Sequence, residues 1–172
     1  MQPRATGPGV ARRLCALAAG GARDLFPGYF ALVMATAVVS IASELLGHGW
    51  IAKPLLGIAW LSYLALWVLT LLRLGLFPHR LVEDLSNHQR APGFFTIVAG
   101  TCVLGTETVV VAGAEAVAQF LWYLGLGLWC VVMYAFFTAV TVRSRKPTRA
   151  AGINGAWLIA AVATQSVVVL KG

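Results

Sequence analysis

Charge is scarce in this chain, and negative charge scarcest: six acidic and 13 basic residues make up 11% of 172 positions. A soluble surface needs about a quarter charged residues, so with 59% hydrophobic residues and a mean hydropathy of +0.82 most of the chain belongs in lipid. The lack of carboxylates leaves no HExxH and no carboxylate-rich phosphate motif. Cysteine is equally sparse. Cys15, Cys102 and Cys130 have no CxxC or metal-ligand spacing, and two lie in apolar runs where Cys acts as a small hydrophobe, which argues against disulfide and zinc chemistry. The histidines, His48, His79 and His88, lie outside the apolar runs, so no intramembrane haem pair is expected. No metal or cofactor is expected at all.

The net charge of +7 raises the question of nucleic acid, but the basic residues sit in short segments between apolar runs, as suits a membrane surface. Near the start, Arg12 and Arg13 before Leu14–Gly21 imitate a signal peptide, yet the stretch is short and is followed by Arg23 and Asp24. Residues 1–25 therefore read as a cytoplasmic tail, and 26–172 as the membrane domain.

What the chain does have is a repeat. Pro27-Gly28-Tyr29-Phe30-Ala31-Leu32-Val33-Met34-Ala35-Thr36 returns 65 residues later as Pro92-Gly93-Phe94-Phe95-Thr96-Ile97-Val98-Ala99-Gly100-Thr101, each copy opening a long apolar run. Repeated units around an axis build a central path in a membrane, which points to transport. A fainter third copy begins at Asn154-Gly155-Ala156-Trp157.

Five runs, at about 26–46, 55–77, 93–111, 116–142 and 153–170, approach or exceed the roughly 20 residues needed to cross about 30 Å of hydrocarbon. Pro27, Pro54 and Pro92 read as helix-start residues whose missing N–H costs nothing. With the N-terminus inside, eleven of thirteen Lys and Arg residues fall on the inner side, leaving Lys53 and Lys171 outside. That bias predicts a cytoplasmic N-terminus, cytoplasmic segments 78–92 and 143–152, and the end of this chain outside.

The second and fourth runs carry eleven of the eighteen aromatic residues, among them Trp60, Tyr63, Trp67, Trp122 and Trp129, and read as lipid-facing or outer-packed. The first, third and fifth confine their aromatics to the opening turn and read as inner. The tryptophans are expected to point away from the common axis, and Thr36, Thr101 and Gln165 toward it. The fold class is thus an all-α integral membrane protein of five transmembrane helices in repeated hairpins, odd helices inner and even helices outer.

Several polar residues lie inside the inner helices. Thr36, Ser40, Ser43 and Glu44 share a stripe on the first. On the third, Thr101, Gly105 and Thr108 share one, with Thr96, Gly100 and Glu107 beside it; on the fifth, Asn154, Ala161 and Gln165 align with Thr164 nearby. Small hydroxylated residues are also the usual glue between membrane helices, and that reading stands beside the path-lining one. Glu107 lies about 21 Å along its helix at about 1.5 Å per residue, where an ionisable group is costly and marks a functional candidate, with proton uptake as one role. The candidate substrate path comprises Thr36, Ser40, Thr101, Glu107, Thr108, Asn154 and Gln165. The parallel inner helices point their N-termini at one mouth, where macrodipoles and arginines favour an anion, although positive-inside topology places the same arginines there. The loop Phe77–Arg90 reads as a solvated connection with internal salt bridges, and His79, Glu83 and His88 lack metal spacing.

Phe26-Pro27-Gly28-Tyr29-Phe30, Met34-Ala35-Thr36-Ala37-Val38-Val39-Ser40, Asp84-Leu85 leading into Pro92-Gly93-Phe94-Phe95, and Asn154-Gly155-Ala156-Trp157-Leu158 together resemble the tellurite-resistance/dicarboxylate transporter family, which includes sulfite efflux pumps, malate permeases and plant slow anion channels. The likeness spans residues 26–170. It implies ten helices in five hairpins around a central pore, odd helices lining it, usually as a homotrimer, and a small anionic substrate such as a C4-dicarboxylate, tellurite or sulfite. Two departures stand out: Met34-Ala35-Thr36-Ala37 replaces glycines common around the threonine, and five helices are present, without the ninth that carries the family's gating phenylalanine.

The expectation is an anion transporter of the cell membrane, represented by its N-terminal half, with no enzymatic activity and no nucleic-acid partner. A non-transporting half-protein and a membrane-embedded enzyme are the alternatives. The ladder Ala156, Ala160 and Thr164 on the fifth helix is expected to await a partner surface.

Overall fold

A computed structural model describes residues 26–79, 83–84, 90–142 and 158–171. Expectations for the tail 1–25, Arg80, Ser86, the basic segment 143–152, Asn154 and Ala156 lie outside the described residues.

The described helices are α1 (Phe30–Leu45), α2 (Gly49–Leu76), α3 (Phe95–Ala112), α4 (Glu115–Val142) and α5 (Leu158–Lys171). Short 3-10 turns, Pro27–Tyr29 and Ala91–Phe94, lead into α1 and α3. Among the described residues four helices are long and apolar enough to cross a membrane, while α5 is a shorter apolar helix of 14 residues. The apolar runs therefore become helices, as a buried backbone in lipid requires.

The glycines at the connections explain two boundaries. Gly47 and Gly113 hold left-handed backbone, at φ 79° and 65°, that a side chain would strain. After Gly47 the next helix starts at once: Ile51 N–H donates to the His48 carbonyl at 2.9 Å, so α2 begins at Gly49, six residues ahead of the expected start near 55. Pro54 consequently lies inside the helix rather than at its first turn, where its missing N–H leaves the Trp50 carbonyl without its helical donor.

Helix α3 is the centre of the bundle. It packs on α1, α2, α4 and α5, while α1 also packs on α2, and α4 on α5. Every residue from Ala91 to Cys102 is buried. Small residues allow this. A Cβ at Gly100 would stand 3.3 Å from the Phe30 carbonyl oxygen, and one at Gly105 only 2.7 Å from Leu170. From α4, a Cβ at Gly125 would meet the Cys102 sulfur at 2.6 Å. The repeated Pro-Gly turns also pack on each other: Thr96 Oγ1 donates toward the Pro27 carbonyl at 2.9 Å and the Gly93 carbonyl at 2.6 Å, and a Cβ at Gly93 would come within 3.0 Å of the Gly28 nitrogen.

Candidate path and buried polar seam

The aromatic residues of the even helices do not divide as the sequence suggested. Phe120, Tyr123, Tyr134 and Phe137 are exposed, but Trp60, Trp67 and Trp129 pack inward against the core beside buried Tyr63. An indole or phenol buried in lipid needs a hydrogen-bond acceptor, and the hydroxyls of the odd helices supply it. Thr101 donates to the Ile97 carbonyl at 2.7 Å, which leaves its lone pair to accept the Tyr63 phenol at 2.9 Å. In the same way Thr108 donates to the Leu104 carbonyl and accepts Trp60 Nε1 at 3.2 Å, while Thr164 donates to the Ala160 carbonyl and accepts Trp129 Nε1 at 3.1 Å. Trp122 Nε1 reaches the Val167 carbonyl at 3.0 Å. Thr164 is thus engaged by α4, and Ala160 and Thr164 are both partly buried.

These bonds settle where most of the expected path residues sit. Thr101 and Thr108 are buried against α2. Ser40 is buried on α1, donating to the Ala52 carbonyl of α2 at 3.0 Å. Gln165 is exposed on α5 and Thr36 is partly exposed on α1, whereas Thr101 is buried. Thr36 and Ser43 donate to the Leu32 and Val39 carbonyls at 2.9 and 2.8 Å, the same backbone pattern as Thr101 and Thr108, which stand 65 positions later in the repeat.

Glu107 is 0% exposed. It lies on α3 beside Ser40 of α1, and neither carboxyl oxygen has a hydrogen-bond partner among the described residues. Glu44 is one turn along α1 from Ser40, with its carboxyl against Gly49 and Oε2 also without a partner among the described residues.

Beyond Cys102 the enclosure of α3 opens, first at Val103 and Thr106, then at Val109 and at 110–112. Val103 and Thr106 are partly exposed and Val110 is 37% exposed, at i, i+3 and i+7 on one helical face. Thr106 donates to the Cys102 carbonyl at 3.2 Å. Sequence reading passed over Thr106 because Thr101 and Thr108 were the more regular pair; the signal was its spacing with Val103 and Val110 at i, i+3 and i+7.

The sequence reading expected salt bridges in the loop after α2 but not their burial. Asp84, expected in a solvated loop, is buried and bridges Arg73 at 2.6 Å and Arg90 at 2.5 Å. Arg73 lies in the last turn of α2 and is buried, while Arg90 precedes the second Pro-Gly turn and stacks over the Phe26 ring at 5.7 Å. One carboxylate therefore ties the end of α2 to the start of α3, and the three-residue cluster carries one net positive charge. An acid 11 residues after one arginine and six before another was the available signal. Among the described residues no three His, Cys, Asp or Glu side chains gather as metal ligands.

A bundle of apolar helices around a small-residue central helix, four of them long and apolar enough to cross a membrane, has the build of a helical membrane protein. The family described as SLAC1, voltage-dependent anion channel, matches residues 24–172, and the chain belongs to it. This bears out the resemblance to the tellurite-resistance/dicarboxylate transporters, whose activity is anion transport across the membrane. No curated protein and no solved structure matches the chain.

Proposed function

We propose that this protein conducts small anions, of the C4-dicarboxylate, tellurite or sulfite kind, along the uncovered stripe of α3 formed by Val103, Thr106 and Val110. The observation that carries this reading is that the buried central helix α3 first opens at Val103 and Thr106 and stays open at Val110, in a chain of the anion-channel family. The odd helices are its inner layer, with α1 and α5 flanking the stripe. The path is open toward the Gly113 end and narrows toward the Pro-Gly end, where α3 is buried from Ala91 to Cys102. Thr101 and Thr108 serve as packing hydroxyls, and Ser40 and Glu107 occupy the seam behind the path.

The Pro-Gly end faces the cytoplasm of a cell-membrane protein and the Gly113 end faces outside. Support comes from the eleven-to-two bias of basic residues and from the Arg73–Asp84–Arg90 cluster, which gives the inner mouth a positive field that attracts anions. The membrane domain is 26–172, and a homotrimer is the assembly the resemblance implies.

Purified protein in liposomes loaded with chloride, succinate, sulfite or tellurite should release one or more of these down its gradient, while protein-free liposomes hold all four. Retention of every anion at the protein-free rate would refute the reading. Cysteines introduced at Ser86 and Thr148 should resist an impermeant thiol reagent in intact cells, and labelling from outside would invert the orientation.

A further inference from the structure

Glu107 is the one fully buried carboxylate among the described residues for which the packing supplies no donor. Three facts about its surroundings matter. It lies wholly inside the contact between α1 and α3, at 0% exposure. Both oxygens lack a hydrogen-bond partner among the described residues. The hydroxyl that faces it, Ser40 on α1, is donating elsewhere, to the Ala52 carbonyl at 3.0 Å. A charge buried under those conditions is far costlier than a neutral acid, so such a group persists neutral or gains water and donors when it ionises.

The charged and titratable groups of the elements packed around it do not offer a counter-ion. Helix α1 contributes Glu44, also acidic, one turn beyond Ser40. Helix α2 faces α3 with Trp60 and Tyr63, already engaged with Thr108 and Thr101; its Lys53, and His48 just before it, are exposed beyond the seam. From α4 the acid Glu115, and from α5 Lys171, are exposed at the Gly113 end. Arg73 and Arg90 hold Asp84 at the opposite end.

We propose that Glu107 is a reversible proton-binding site and that its protonation keeps the α1–α3 seam dry and closed. A proton from water adds to one carboxyl oxygen, forming a single O–H bond; its return to water leaves a carboxylate. On ionisation Ser40 turns its hydroxyl from the Ala52 carbonyl to that carboxylate, and water enters as α1 parts from α3. Because the stripe of Val103, Thr106 and Val110 lies on the adjoining face of α3, parting this seam alters the path. The consequence for transport rests on the anion-path reading, whereas the proton site itself does not.

Infrared spectroscopy of the purified protein in liposomes tests the site without any transported anion. The protein should show a protonated-carboxyl carbonyl band that is lost on raising the pH and absent in Glu107→Gln, whose amide mimics the neutral acid and preserves the fold. Ser40→Ala should keep that band but move its titration to higher pH, because the carboxylate loses its donor. A carboxylate that is ionised at every pH, or a neutral acid that never titrates while the protein stays folded, would overturn the proposal. Chloride or succinate efflux then separates the two readings: Glu107→Gln should abolish the wild-type dependence of flux on pH. A titrating band with no flux of any anion condemns the transport reading alone, and flux whose pH dependence survives Glu107→Gln overturns the link between the site and the path.

Discussion

Helices α2 and α3 are both long and apolar, yet they occupy opposite situations. In the most apolar stretch of α3 72% of residues are buried within the protein, against 11% in α2. Apolar content does not distinguish them; side-chain size does. Helix α3 has Gly100, Gly105, Ala99 and the three buried threonines Thr96, Thr101 and Thr108 where backbones must approach, whereas α2 turns Leu61, Leu64, Val68, Leu71 and Leu74 to the outside and uses one edge, Trp60, Tyr63 and Trp67, to grip its neighbours. In a membrane, where lipid solvates leucine as well as protein does, close approach and a few hydrogen bonds decide which helix is central.

The largest predicted effect comes from cutting the tie between the two helices. Asp84→Ala removes the carboxylate that pairs with both Arg73 and Arg90, and breaking a buried pair costs up to about 3–5 kcal/mol. Thermal unfolding in detergent should drop sharply, and Asp84→Glu should recover part of the loss. Next, the glycines sharpen the contrast. Gly93→Ala pushes a Cβ to 3.0 Å from the Gly28 backbone, an overpacking of about 1–3 kcal/mol. Gly57→Ala in α2 meets nothing within 4 Å and should leave stability unchanged or raise it by about 1 kcal/mol through helix propensity. Equal losses at both glycines would break the comparison. The smallest effect belongs to the aromatic donors: Tyr63→Phe removes the bond to Thr101 and should cost about 1 kcal/mol or less by the same measurement.

The hydrophobic runs gave away the helices because lipid admits few other backbones, and the Pro-Gly repeat located two structurally equivalent starts that pack on each other. The start of α2 was not legible, since Pro54 looked like a helix opener while the turn at Gly47 had already begun the helix. The tryptophans misled for a related reason. Bulk and aromaticity suggested lipid, but their N–H groups demanded the hydroxyls of Thr108 and Thr164. Glu107 was legible as a costly intramembrane acid; its lack of a donor among the described residues was not, because which side of α1 faces α3 depends on packing rather than on residue spacing.

The central claim, that anions pass along the bare stripe of α3 and not along α2, is tested most directly by single cysteines at Thr106 and Leu61 on a background lacking Cys15 and Cys130. Each variant is reconstituted, treated with a negatively charged thiol reagent, checked for labelling by mass and assayed for anion efflux. The account predicts that labelled Thr106→Cys loses most of its flux while labelled Leu61→Cys keeps it. Full flux from labelled Thr106→Cys, or block at Leu61→Cys alone, would contradict it.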